Sequence, residues 1–441
     1  MGPPAVTPKI TLTAVALILL AGCAARDVIL PGERLDLRDG MAGAEVVNRN
    51  QALPLALPAA TLNADWPQRG GSAVHRIAHP ALAGALTQDF AVNIGQGDSR
   101  RARITADPVV AGGVVYTLDA RARVTATAVS GAPVWSVDVT PVTDGAADAS
   151  GGGIAVAGGR VFVATGFGEL TVLDAASGAE LWTQDLNAPG GAAPTVQGDI
   201  VYVVARDARA FALDVATGLI RWQVAGTPSG ANFSGGAGAA VTPEIAIFPF
   251  PSGEVIAAFP QGGLRRWAQV IAGVRPGAAA GAAAGDISGD PVIDGDTLYV
   301  GNVSGRLVAM NVASGDRLWT ALEGVISPVV PAGGSVFLVN DVNELVRLDA
   351  SDGSVIWRVA LPRYAEDRAR RQRTLYAQFG PVLAGGRLLV ASAEGLIRQF
   401  DPVSGASLGD IALPGGAASG PVIAGGALYV VTKDGQLVAF R

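Results

Sequence analysis

The chain has 441 residues, with 32 Lys and Arg against 38 Asp and Glu, for a formal charge of −6. An acidic chain lacks the attraction to phosphate backbones on which nucleic-acid binding rests, so no nucleic-acid partner is expected. Hydrophobic residues at 49% and charged ones at 16% exclude disorder for the bulk of the chain, while 59 Gly and 27 Pro indicate many turns between short strands.

In chain order, Lys9 precedes an apolar run from Ile10 to Leu20, shorter than the ~20 residues of a membrane-spanning helix. A charged start, a short apolar stretch and small residues before a cleavage point predict a secretory signal over 1–22. With Cys23 directly after Leu20-Ala21-Gly22, the segment resembles a bacterial lipoprotein signal. That resemblance implies acylation of Cys23, and Ala24 in place of Asp implies the outer membrane. Cys23 is the only cysteine, which excludes an internal disulfide or a Cys-rich metal site. Residues 23–60, with mixed charges and Pro31, Pro54 and Pro58, read as a lipidated tether. His75 and His79 are four apart, but Pro80 follows and no third ligand is evident, so solvated loop histidines and no metal are expected. They are the only histidines, which argues against a Ser-His-Asp hydrolase.

The remainder is dominated by a repeat. One copy reads Pro291-Val292, Gly295-Asp296, Leu298-Tyr299-Val300, Ser304-Gly305, Arg306 to Asn311, Ser314-Gly315 and Trp319. Copies end at Trp135, Trp182, Trp222, Trp267, Trp319 and Trp357, spaced 38 to 52 residues apart, with a seventh ending near Gly409 that lacks the tryptophan. Each copy predicts four short strands joined by Gly turns. An Asp before Ser/Thr-Gly can accept backbone N–H bonds across the last turn. The tryptophans are expected to be core rather than a ligand-stacking site. Residues 86–441 at about 44 residues per four-stranded blade give eight blades. The last copy stops at Phe440-Arg441 after three strands, so Leu86–Ile94 is expected to supply the missing fourth and close the ring. The fold class is therefore all-β: an eight-bladed propeller of four-stranded antiparallel blades over 61–441. Between blades, Ala278–Gly285 is an Ala/Gly loop. Arg363–Arg373 is an Arg-rich insertion, able to meet an acidic partner or lipid headgroups or simply to be solvated. Arg supplies 30 of the 32 cations; Lys9 and Lys433 are the exceptions, a bias read as compositional.

The pattern Ala212-x-Asp214-x-x-Thr217-Gly218-x-x-x-Trp222 resembles the tryptophan-docking repeat of the quinoprotein dehydrogenases, eight-bladed propellers that bind pyrroloquinoline quinone. The adjacent cysteines and calcium carboxylates of those enzymes have no counterpart here; Asp286 and Asp290 lack the oxygen density of a calcium loop. The whole layout of acylated Cys23, tether and terminal propeller resembles the BamB family of outer-membrane assembly lipoproteins. This implies a non-enzymatic scaffold without cofactor, anchored in the outer membrane and facing the periplasm. Its partners would be BamA, the outer-membrane assembly complex and unfolded outer-membrane protein substrates. A quinone-dependent periplasmic dehydrogenase, or a scaffold for another envelope partner, is the alternative. The family's partner-binding loops fall near Asp286-Ile287-Ser288, with Asp290 close by, and near Asn232-Phe233-Ser234. Asp286, Ser288, Asp290, Asn232 and Phe233 are thus the implied contact residues. Ser288 departs from the family's second Asp, and Asn232-Phe233 does not match the family's Leu-x-Leu-Arg.

Overall fold

Tryptophan, glycine and aspartate set the architecture. A computed structural model describes residue 2 and residues 50–441, apart from 147, 231–234, 276–284, 367, 369, 371 and 373. Residues 48–441 form one compact unit of eight four-stranded antiparallel sheets. The innermost strands of blades 1 to 8 are Val109–Ala111, Gly152–Ala157, Thr195–Gln197, Ala240–Val241, Val292–Asp294, Val330–Ala332, Gln378–Ala384 and Val422–Ala424. The outermost are Pro133–Asp138, Glu180–Asp185, Ile220–Ala225, Arg265–Val270, Arg317–Ala321, Val355–Ala360, Ser407–Ala412 and, for blade 8, Gln88–Asn93. That last strand pairs antiparallel with Gln436–Phe440, opposite Val431 and its neighbours, so one blade joins both halves of the chain.

The two-residue alternation of strand side chains explains the burial pattern. Second strands such as Ile200–Val204 are buried throughout, because each face packs on a neighbouring blade. Fourth strands such as Glu180–Asp185 alternate exposed and half-buried residues. The core is a ring of interblade clusters rather than one centre. Phe162 and Val172 of blade 2 pack with Val201 and Phe211 of blade 3, and Tyr202 of blade 3 packs with Phe248 of blade 4. Each such large side chain contributes about 1.5–3 kcal/mol on burial.

The docking motif repeats from blade to blade. Trp182 Nε1 donates to Val215 O at 3.2 Å, and a Cβ on Gly218 would lie 2.6 Å from the Trp182 ring. The indole therefore lies flat on a glycine of the next blade, whose φ of +75 also favours glycine. Trp135 on Gly178, Trp222 on Gly263, Trp267 on Gly315 and Trp319 on Gly353 repeat the contact, each with its indole N–H bonded to a backbone carbonyl. Asp214 Oδ1 shapes the glycine's turn by accepting from Ala216 N, Thr217 N and Thr217 Oγ1. Arg221, and then those turn bonds, hold its carboxyl well below the usual range. The tryptophans are structural, as their repeat spacing implies.

Residues 50–83 belong to no blade and form a strap. Arg347 of blade 6 donates to Leu53 O and Pro54 O. Gly425 N of blade 8 donates to Asn63 O at 2.8 Å. Trp66 bridges to Val110 of blade 1, Val156 N of blade 2 donates to Pro67 O, and Gln68 exchanges side-chain bonds with Val196 of blade 3. Val241 N donates to Ala73 O, Ile293 N to Val74 O and Gly385 N to Pro80 O, which brings in blades 4, 5 and 7. The strap thus touches all eight blades, chiefly near the ends of the innermost strands. Residues 50–60, assigned from sequence to the tether, are held against the propeller. Cys23 and the signal segment lie outside the described residues.

Candidate functional site: the central cavity and the loops beside blade 4

The strands enter the ring's centre on one side and meet the strap on the other. On the entry side lies a cavity of about 700 Å³. Its walls come from the starts of the innermost strands and the segments just before them, including Ile104, Val329, Phe379 and Val422. Its floor comes from the strap, with Trp66, Arg69, His75, Arg76 and Ile77. Arg69 lies 2.8 Å from Asp290 and 3.5 Å from Asp107. His75 is buried and donates from Nδ1 to Pro291 O at 2.8 Å; burial pulls its pKa below the ordinary value against the opposing pull of Asp290. His79 is buried too, with Nδ1 donating to Pro58 O and Nε2 accepting from Gly386 N. Both histidines were expected to be solvated loop residues. They are buried because the strap that carries them needs polar partners inside the ring, and a Pro80 that stops a helix does not make a loop exposed.

The implied contact residues sit on the loop leading into blade 5. Asp286, Ser288 and Asp290 are 3%, 6% and 3% exposed. Asp290 Oδ1 accepts from Gly238 N at 2.6 Å while Oδ2 faces Arg69. Ser288 Oγ donates to Val325 O. Asp286 lines a small crevice with Arg206, Gly236 and Pro249. Burial lowers the Arg206 pKa, with the Asp286 charge opposing it. These side chains therefore face inward and fix the loop. Asn232 and Phe233 lie outside the described residues. On the segment leaving blade 4, Val270 and Val274 are 55% and 41% exposed.

An ion network that sequence reading missed fixes the same region. Arg275 reaches Asp341 at 2.6 Å and Glu323 at 3.1 Å, and Arg358 reaches Glu323 at 3.0 Å and Glu344 at 2.9 Å. Glu323 is buried and also accepts from Asn340. The residues are scattered over 84 positions of sequence (275 to 358) in three repeats, with no local motif to mark them. At the ends of the Arg-rich insertion Tyr364 bridges to Leu375, and Leu375 and Tyr376 reach the cavity.

Among the described residues no three of His, Cys, Asp and Glu converge as a metal site. A quinone with calcium needs six to eight oxygen ligands on the cation. The cavity walls present Asp98 and Asp107, which already face Arg103 and Arg69. This donor set does not fit that pair.

Fold and docking motif define a class: eight-bladed propellers built from tryptophan-docked, quinoprotein-like repeats. A family model described as "Outer membrane protein assembly factor BamB" matches residues 120–359 and 357–441. The chain belongs to that family. It is 24% identical over 303 residues to the BamB of Yersinia pestis, covering 68% of this chain and 74% of that one. It is 27% identical over 259 residues to the BamB of Shewanella oneidensis, covering 59% and 62%. The crystal structure of BamB from Moraxella catarrhalis superposes with a TM-score of 0.67 at 19% identity, over 81% of this chain and all of that one. The quinohemoprotein alcohol dehydrogenase of Comamonas testosteroni shares the fold, with a TM-score of 0.65 at 14% identity over 86% and 81%.

Proposed function

We propose that this chain is a non-enzymatic scaffold of outer-membrane protein assembly, anchored through acylated Cys23 and facing the periplasm. The carrying observation is the family match across 120–359 and 357–441. In this reading the loops on either side of blade 4 hold BamA. Asp286, Ser288 and Asp290 act by holding the loop before blade 5, since their side chains are buried. The partner-facing part includes the exposed Val274, with Asn232 and Phe233 proposed as contacts from the family's sequence pattern alone. The Arg275–Glu323–Arg358 network stiffens it, so less order is lost on binding. Outer edges such as Glu180–Asp185 expose alternate residues and can guide unfolded barrel strands toward insertion. The test is affinity purification of the mature protein from solubilised outer membranes. Co-purification of BamA in stoichiometric amount supports the reading. Recovery without BamA, or from the soluble fraction without acyl label on Cys23, contradicts it.

A further inference from the structure

The central cavity combines three features that the scaffold role does not use. First, it is blind. Trp66, Arg69, His75 and Ile77 of the strap close its far end, so no chain can thread through the ring. Second, its wall carries four cations, Arg69, Arg76, Arg103 and Lys433, beside Asp98 and Asp107. Third, its rim is apolar and exposed, with Ile326 at 47% and Leu375 at 55%.

The cations are not equivalent. Arg69 pairs with Asp290 and Asp107, Arg76 with Asp294 at 3.3 Å, and Arg103 with Asp98 at 3.0 Å. Lys433 has no carboxylate within ion-pair distance among the described residues. Among the described residues its Nζ donates once, to Ala393 O at 2.6 Å. An ammonium carries three N–H donors, so two remain for a ligand. Its stem passes close over Gly416, where a Cβ would lie 2.8 Å from Lys433 Cε. Lys433 is also the sole lysine beyond residue 9 in a chain that otherwise uses arginine. A compact ammonium suits a single carboxylate, whereas the arginines are engaged in paired contacts.

We propose that the cavity is a binding cup for an apolar chain that ends in a carboxylate, with the carboxylate on Lys433 and the apolar body leaving between Ile326 and Leu375. Lys433 lies in the turn between Ala427–Val431 and Gln436–Phe440, on the entry side, and selects the anionic end. The strap floor stops the ligand from threading the ring, and the rim selects the apolar groups behind the carboxylate. A peptide carboxy terminus and a fatty acid share this chemistry.

The experiment titrates the mature protein with three probes. They are an N-acetylated apolar hexapeptide with a free carboxy terminus, the same peptide as its carboxamide, and dodecanoate. The proposal expects saturable binding of one or both carboxylates, with the carboxamide weaker by about tenfold, the effect of losing one charge-assisted contact. Lys433→Met removes that acid-over-amide preference, Lys433→Arg retains part of it, and Ser327→Trp, which fills the cavity, abolishes binding. Binding of the hexapeptide acid identifies a peptide terminus as the ligand, and binding of dodecanoate alone identifies a lipid. Equal binding of acid and amide, no saturation by either carboxylate, or an acid affinity unchanged in Lys433→Met with unfolding as in wild type would overturn it.

Discussion

The blades and the strap are held together by opposite means. Six of the eight blades repeat one neutral contact, an indole lying on the next blade's glycine, so their stabilisation is spread over many similar junctions. The strap repeats nothing. It uses a buried ion pair, two buried histidines and single backbone bonds to reach every blade. Damage to one docking junction stays local, as in other repeat architectures, whereas damage to the strap strikes the one element common to all junctions.

The largest expected effect follows from Arg69→Met, which leaves Asp290 charged and buried without its counter-ion. Breaking a buried pair from one side costs about 3–5 kcal/mol, measurable as a drop in the denaturant midpoint. Adding Asp290→Asn should recover part of the loss; no recovery would show that Arg69 acts through packing alone. Next, Gly218→Val places a side chain against the Trp182 ring in a left-handed backbone, costing about 2–3 kcal/mol. Its hydrogen exchange should rise at blades 2 and 3 only, which sharpens the contrast with the strap.

A smaller effect is pH-dependent. His75 is held neutral by burial, with Asp290 and Arg69 nearby. Its folded pKa is below the unfolded value of about 6.5. The unfolded chain therefore binds the extra proton first, and stability falls as pH drops from about 6.5 toward the folded pKa, then levels off. His75→Leu should flatten this part of the stability profile in urea titrations at pH 7 and 5. The smallest effect is expected for Asp214→Ala, because that carboxylate shapes an exposed turn whose glycine is already held by Trp182. Thermal unfolding should shift only slightly.

The blades were legible because their physics is local. Pro-Val starts, Gly turns and the Asp-x-x-Thr-Gly spacing fix strands within one copy, and the interval between tryptophans counts the blades. The missing tryptophan at Gly409 also has a local reason. Blade 8 takes its fourth strand from Gln88–Asn93, so it has no third-to-fourth turn to supply a docking glycine. Phe90 fills the equivalent place on Gly131 of blade 1. The strap was not legible. Its partners lie up to some 360 residues away, as for Asn63 with Ile423, and its prolines and polar residues resemble those of a free linker. The contact residues suffered the same blindness: Asp286 and Asp290 look exposed in a Gly-rich loop, and only the ring's closure around Arg69 turns Asp290 inward.

The most direct test of the scaffold reading is a titration of the mature protein with purified periplasmic domains of BamA. Wild type should bind saturably with one-to-one stoichiometry. Val274→Asp, beside blade 4, should weaken binding at least about tenfold, the size of effect that a buried contact at an interface centre carries. Leu181→Asp, on the outer edge of blade 2, should leave it unchanged. No saturable binding by folded wild-type protein would contradict the central claim. Equal weakening by both substitutions would move the contact away from blade 4.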